Sequence, residues 1–185
     1  MARKLRQGLD IPTAPLIRPM RSGLPPGQAR RASIIATMPA LSPLDRGGLT
    51  AADFNRRGVG HLPGLLGIII TQIDASGVCA RMPFRHDLMA SNGYMHAGAA
   101  VTLADTCCGY GCVFLLPERA AGFTTVELKS NHLGTARDGL IECVATPAHI
   151  GKSTQVWDAV VSHRESGKTI ALFRCTQMVL YRSAG

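Results

Sequence analysis

Asp105 interrupts an apolar run, HAGAAVTLADTCCGYGCVFLL, that extends from His96 to Leu116. A carboxylate set among Ala, Val, Leu and Cys needs a reason, because an ionised acid without a partner is costly to bury. Either it accepts a structural hydrogen bond or it acts on a substrate; we take the second reading, because perturbed buried carboxylates cluster at sites that need an acid, a base or a nucleophile. The run has helical spacing, with Val101, Ala104, Cys108, Cys112 and Leu115 three and four residues apart. His96, at the start of that helix, is the obvious partner for Asp105. Nine residues at about 100° and 1.5 Å each set the two on opposite faces, about 13.5 Å apart along the axis. They cannot form a dyad within one chain. If both serve one site, two subunits supply them, and an isologous dimer then carries two composite sites.

The helix start has chemistry of its own. The first backbone N–H groups of a helix have no internal partner and sit at the positive end of its dipole, so they suit a developing oxyanion. Ala97 and Gly98 are small enough to let a carbonyl approach. His96 reads as the residue that caps the helix or orients its loop, in preference to a general acid. The six cysteines, Cys79, Cys107, Cys108, Cys112, Cys143 and Cys175, contain no C-x-x-C pair. They read as small buried residues of a cytoplasmic protein. Neither a metal nor another cofactor is required.

These groups need a scaffold. At 185 residues, with 46% apolar and 17% charged, the chain holds one domain with ample core-forming material. The net charge of +8 is lopsided: Arg3, Lys4, Arg6, Arg18, Arg21, Arg30 and Arg31 stand against Asp10 alone in the first 37 residues. The remainder is nearly neutral and has no basic stripe for phosphates, which argues against a nucleic-acid partner. Pro12, Pro15, Pro19, Pro25, Pro26, Pro39 and Pro43 keep residues 1–45 irregular, and we expect a dispensable tail there, with the domain at 46–185. The tail lacks the apolar core of a secretory signal; its Arg-rich composition also fits an organellar transit peptide, and Met38 offers an alternative start.

Thr50 predicts a helix cap, with the helix running to about Arg57 and stopped by Gly58. Gly64 to Asp74 and Val78 to Arg85, joined by Asp-Ala-Ser-Gly, predict a hairpin. Four more strands are predicted over Phe123 to Leu133, Gly139 to His149, Thr154 to Arg164 and Lys168 to Tyr181, antiparallel because their connections are short. The plan is β-β-α-β-β-β-β, an α+β fold in which one curved sheet wraps one helix. The helix is long enough to cross a membrane, but Asp105 at its centre argues for enclosure by protein instead.

The string NGYMHAGAAVTLADT (Asn92 to Thr106), followed by FTTVELKSNHL (Phe123 to Leu133), HIGKSTQVWDA (His149 to Ala159) and GKTIALFRCTQ (Gly167 to Gln177), resembles the PaaI-type hotdog-fold acyl-CoA thioesterases. The match covers Leu49 to Tyr181. The resemblance implies a homodimer, often paired into a dimer of dimers, that hydrolyses an acyl- or aryl-CoA. It implies that Asp105 is the general base or nucleophile and that the N–H of Ala97, after His96, polarises the thioester carbonyl. It further implies that Thr125, with Thr124 beside it, places the water, and that Lys129, Arg137, Lys152 and Ser153 contact CoA.

The chain departs from that family twice. His-Gly-Gly is His96-Ala97-Gly98 here, and the Asn or Gln expected six residues before the His is Ala90. Asn92 is the candidate substitute. The alternative function is a hotdog that binds acyl-CoA without hydrolysing it; a hydratase would want its Asp and His in one pocket of one chain, which the spacing opposes. Tyr94 and Phe123 are candidates to hold an acyl or aryl group, whereas Trp157 reads as core.

Overall fold

The computed structural model describes residues 48–182. The expected tail at 1–45 lies outside the described residues. The first helix of the described residues is α1 (Ala51–Gly58), where Thr50 and Asp53 form a reciprocal capping box. Asn55 docks this helix edgewise on the sheet: its Oδ1 accepts the Ile70 N–H at 2.7 Å and its Nδ2 donates to the Ile70 carbonyl at 3.0 Å.

A four-residue helix, α2 (Leu62–Leu65), follows. It corrects the expected strand, which begins five residues later than Gly64. Pro63 suits the first turn of a helix, and Gly67, at φ +72°, takes the left-handed conformation that ends it. The hairpin is then β1 (Ile69–Asp74) and β2 (Gly77–Pro83). A short 3-10 turn at His86–Leu88 and a tight loop lead into α3 (Ala97–Phe114). Strands β3 (Ala120–His132), β4 (Leu140–Ile150), β5 (Thr154–His163) and β6 (Thr169–Tyr181) complete the chain.

All six strands join one antiparallel sheet in the order β1-β2-β4-β5-β6-β3. The chain leaves β2 near one margin and re-enters as β3 at the other, so α3 must cross the sheet's concave face to connect them. Alternation supplies the surface it lies on: Val78, Ala80 and Met82 on β2, Ile141, Cys143 and Ala145 on β4, Trp157, Ala159 and Val161 on β5 are all buried. Trp157 is fully buried with its ring against Gly111 of α3, where a Cβ would overlap the ring. The apolarity of α3 is thus that of a core helix, although its length and composition alone would also suit a membrane span.

Five of the six cysteines are buried free thiols and Cys79 is half-buried. Contact with Cys143 and burial push the Cys107 thiol up, Cys175 and burial do the same to Cys108, and burial takes Cys112 to about 12. These groups stay protonated at neutral pH and behave as small apolar side chains.

Candidate active site

Asp105 lies on the side of α3 that the sheet does not cover. Ala100, Leu103, Ala104 and Cys107 are fully buried, whereas Val101, Thr102, Asp105 and Thr106 are half-exposed. One oxygen of Asp105, Oδ1, is nonetheless buried without a hydrogen-bond partner. Burial raises its pKa above the ordinary carboxylate value. An acid with a raised affinity for protons and an unspent acceptor is suited to taking a proton from a water molecule.

At the tip of α3, His96 is the N-cap, and its Nδ1 accepts the Gly98 N–H at 2.8 Å. The Ala99 N–H is used by the His96 carbonyl at 2.9 Å. That leaves the N–H of Ala97, at an exposed residue, without a partner among the described residues. The capping role expected for His96 is what the structure shows, and it takes the Gly98 donor at this tip while the Ala97 donor stays open. Ala97 and Asp105 are eight residues apart, about 12 Å along the axis. A thioester carbonyl held at the tip of α3 is out of reach of the acid on the same helix.

The loop before the helix is tightly tied. Ala90 N–H donates to the Tyr94 carbonyl at 2.7 Å, and Asn92 Oδ1 accepts the Tyr94 N–H at 3.2 Å beside Gly93 at φ +80°. Asn92 is exposed at the loop tip, with its carbonyl oxygen turned back onto its own backbone. Thr135 Oγ1 accepts the Met95 N–H at 3.2 Å, and the Arg137 guanidinium lies 5.1 Å over the Tyr94 ring. Arg137 and Tyr94 therefore stand at the amide tip of α3, together with Asn92 and Gly98.

The other candidates fall elsewhere. Phe123 packs on Gly109, one turn beyond Asp105, and Thr125 follows on the same face of β3. The Thr125 hydroxyl donates to Gln177 Oε1 at 2.8 Å. Thr124 is exposed. Lys129 is in register with Arg174, on the convex face of the sheet away from α3. Lys152 and Ser153 occupy the β4–β5 turn, where the Lys152 carbonyl accepts the Tyr181 hydroxyl at 2.5 Å and the Ser153 carbonyl accepts the Val179 N–H at 2.9 Å. That turn is at the C-terminal end of α3, because Gln155, just after it, donates to the Leu115 carbonyl at 3.0 Å. One subunit does not bring Lys129, Lys152 and Ser153 together with Arg137.

Two residues that sequence reasoning passed over are Gln155 and Gln177, both fully buried. Gln155 Oε1 accepts the Trp157 indole N–H at 3.0 Å, and Gln177 anchors Thr125. Their signal was parity: each sits two residues from a core side chain, Trp157 or Cys175, on the inward face of its strand.

Residues 92–170 match the model of the thioesterase superfamily. The 1,4-dihydroxy-2-naphthoyl-CoA hydrolase of Escherichia coli (strain K12) is 30% identical over 132 residues, covering 71% of this chain and 96% of that one. The enzyme of the same name from Listeria monocytogenes is 30% identical over 111 residues, covering 60% and 89%. A mutant thioesterase from Pseudomonas aeruginosa superposes with a TM-score of 0.69 at 27% identity, covering 73% of this chain and 96% of that structure. The chain belongs to the thioesterase superfamily, and the wrapped helix is the hotdog fold. It is a thioester hydrolase.

Proposed function

We propose that the protein hydrolyses acyl-CoA or aryl-CoA thioesters at a site shared by two copies of the chain. The observation that carries this reading is the separation of the two reactive groups: among the described residues, a buried, partnerless Asp105 oxygen and an amide without a partner at exposed Ala97 lie too far apart on their own helix to meet one carbonyl. A two-fold pair of subunits removes the conflict, with Asp105 of one beside the helix tip of the other.

In this reading the Ala97 N–H holds the thioester oxygen, which gains negative charge as the carbonyl is attacked. Asp105 takes a proton from water, whose oxygen bonds to the carbonyl carbon; the C–S bond then breaks and the CoA sulfur leaves, protonated by the acid formed on Asp105. A direct attack by the carboxylate, with water cleaving the resulting anhydride, uses the same two groups. A single turnover in oxygen-18 water separates the two: label enters Asp105 only in the second. Thr125 positions the water, and Arg137 over Tyr94 lies where a substrate phosphate or aryl group would pass the helix tip. The names of the relatives support an aryl-CoA substrate.

The test is thiol release from a panel of aryl-, phenylacetyl- and straight-chain CoA esters. Sustained turnover that Asp105→Asn abolishes supports the reading; tight binding of every ester with no thiol released would overturn it.

A further inference from the structure

The β3–β4 connection carries Arg137 past the helix tip, and the chain fixes it on both sides. Before Arg137, the Leu133 and Gly134 N–H groups donate to the Ile170 carbonyl at 2.8 and 3.1 Å, and Ala136 is buried. After it, Asp138 Oδ1 lies 3.4 Å from Nε2 of His163, the last residue of β5, and Glu165 Oε2 in the β5–β6 turn lies 2.9 Å from the same nitrogen. The His163 side chain is 13% exposed, far less than either carboxylate it faces. Glu165 in turn accepts the Leu140 N–H at 3.2 Å, where β4 begins.

These neighbours fix the ring's proton. An ionised carboxylate can only accept, so Nε2 carries the hydrogen of the neutral ring, and Nδ1, 2.9 Å from Ser166 Oγ, accepts that hydroxyl. The clasp also needs the glycine beside Asp138. Gly139 is at φ +71°, and a Cβ there would run into Glu165 Oε2 and lie 2.7 Å from His163 Nε2. Arg137 itself is exposed. Its guanidinium lies over Tyr94 and has no carboxylate partner among the described residues. A guanidinium so placed beside a substrate path suits a phosphate.

Resting on the reading above that Arg137 borders the path of a CoA ester, we propose that His163 is a positioning residue for substrate binding: by clasping Asp138 to Glu165, it holds Arg137 where the guanidinium meets a phosphate of CoA. His163 touches neither the substrate nor the reacting atoms. Its loss weakens the binding of ground state and transition state alike, so KM rises and kcat does not change.

Steady-state kinetics on a CoA ester and on the pantetheine ester of the same acyl group, which lacks the nucleotide and every phosphate, test this. Arg137→Ala, His163→Leu and Asp138→Ala each raise KM for the CoA ester about fivefold or more, with kcat within about twofold, and leave KM for the pantetheine ester unchanged. His163→Leu combined with Asp138→Ala gives no further rise, because the two remove one clasp. His163→Gln, whose amide still donates, recovers most of the loss. If His163→Leu fails to fold, Asp138→Ala, at an exposed side chain, carries the comparison. An unchanged KM in His163→Leu and Asp138→Ala where Arg137→Ala raises it, additive losses in the pair, or an equal rise with the pantetheine ester overturns the role of His163 alone. An unchanged KM in Arg137→Ala overturns Arg137 as a substrate contact and the role of His163 with it. Absence of turnover with every ester overturns the proposed function as well.

Discussion

His96 Nδ1 accepts the Gly98 amide at 2.8 Å, which commits the imidazole to the backbone of its own helix and leaves the neighbouring Ala97 amide as the open donor. The ring works as a cap, and loss of an N-cap costs about 1 kcal/mol. His96→Ala is therefore expected to lower the stability by about that amount and kcat by no more than about tenfold, with His96→Asn recovering the stability. Chemical denaturation and steady-state kinetics measure both; a fall in kcat beyond about a thousandfold would show that the imidazole takes part in the reaction.

Asp105→Asn should reduce kcat by roughly two to four orders of magnitude while keeping the fold. It should also stabilise the protein at neutral pH. The folded chain raises the Asp105 pKa by burial, so the native state holds that proton more tightly than the unfolded chain does. Ionisation therefore costs the native state stability as pH rises through the raised value, and the cost vanishes below the unfolded pKa. The Tm of the Asn variant should exceed that of the wild type at pH 7, with a gap that closes in acid. A lower Tm at pH 7 would place Asp105 in a stabilising interaction.

The same raised pKa sets the acidic limb of activity. A carboxylate acting as base or nucleophile must be ionised, so kcat/KM should climb with pH through a value above the ordinary aspartate range. A profile already flat at pH 4.5 would assign the proton transfer to another group.

Thr125→Val removes the donor that satisfies Oε1 of fully buried Gln177. An orphaned buried acceptor costs about 1–3 kcal/mol, whereas removing both partners costs less. Pairing Thr125→Val with Gln177→Leu should recover part of the lost stability without restoring activity. Recovery of kcat in the pair would mean that the hydroxyl serves packing and not catalysis.

Gly111→Ala drives a methyl group into the Trp157 ring. Overpacking of this kind costs about 1–3 kcal/mol or more, and Trp157→Phe in the same chain should relieve part of it. A neutral effect in thermal melts would mean that the helix can lift from β5.

The architecture was legible because its signals are local. Thr50 and Gly58 marked the ends of the first helix, the three-and-four spacing from Val101 to Leu115 marked the central one, and turn residues separated the later strands. The error at Gly64 to Ile68 came from reading an apolar run as extended where Pro63 and Gly67 bound a helical turn. The sheet order was not legible, because pairing between β3 and β6 joins residues some fifty positions apart, such as Thr125 and Gln177. For the site, the opposite placement of Asp105 and the helix tip on α3 followed from helix geometry, and their chemical roles belong to the proposal above. The division of labour at the tip did not, because it depends on which way the His96 ring turns. The scatter of Arg137, Lys129 and Lys152 over two ends and the far face of the subunit is likewise a matter of three-dimensional placement.

The docking of α1 through Asn55 bears on how many copies can join. With both backbone groups of Ile70 engaged by that side chain, the β1 flank is shut to another strand at that point, and among the described strands the β3 flank is the one left unpaired. A ribbon that can be extended on one side accepts a single neighbour, whose own open side is used up in the act. Growth by strand addition then terminates at a closed pair, and the long open margin does not become the nucleus of a fibre.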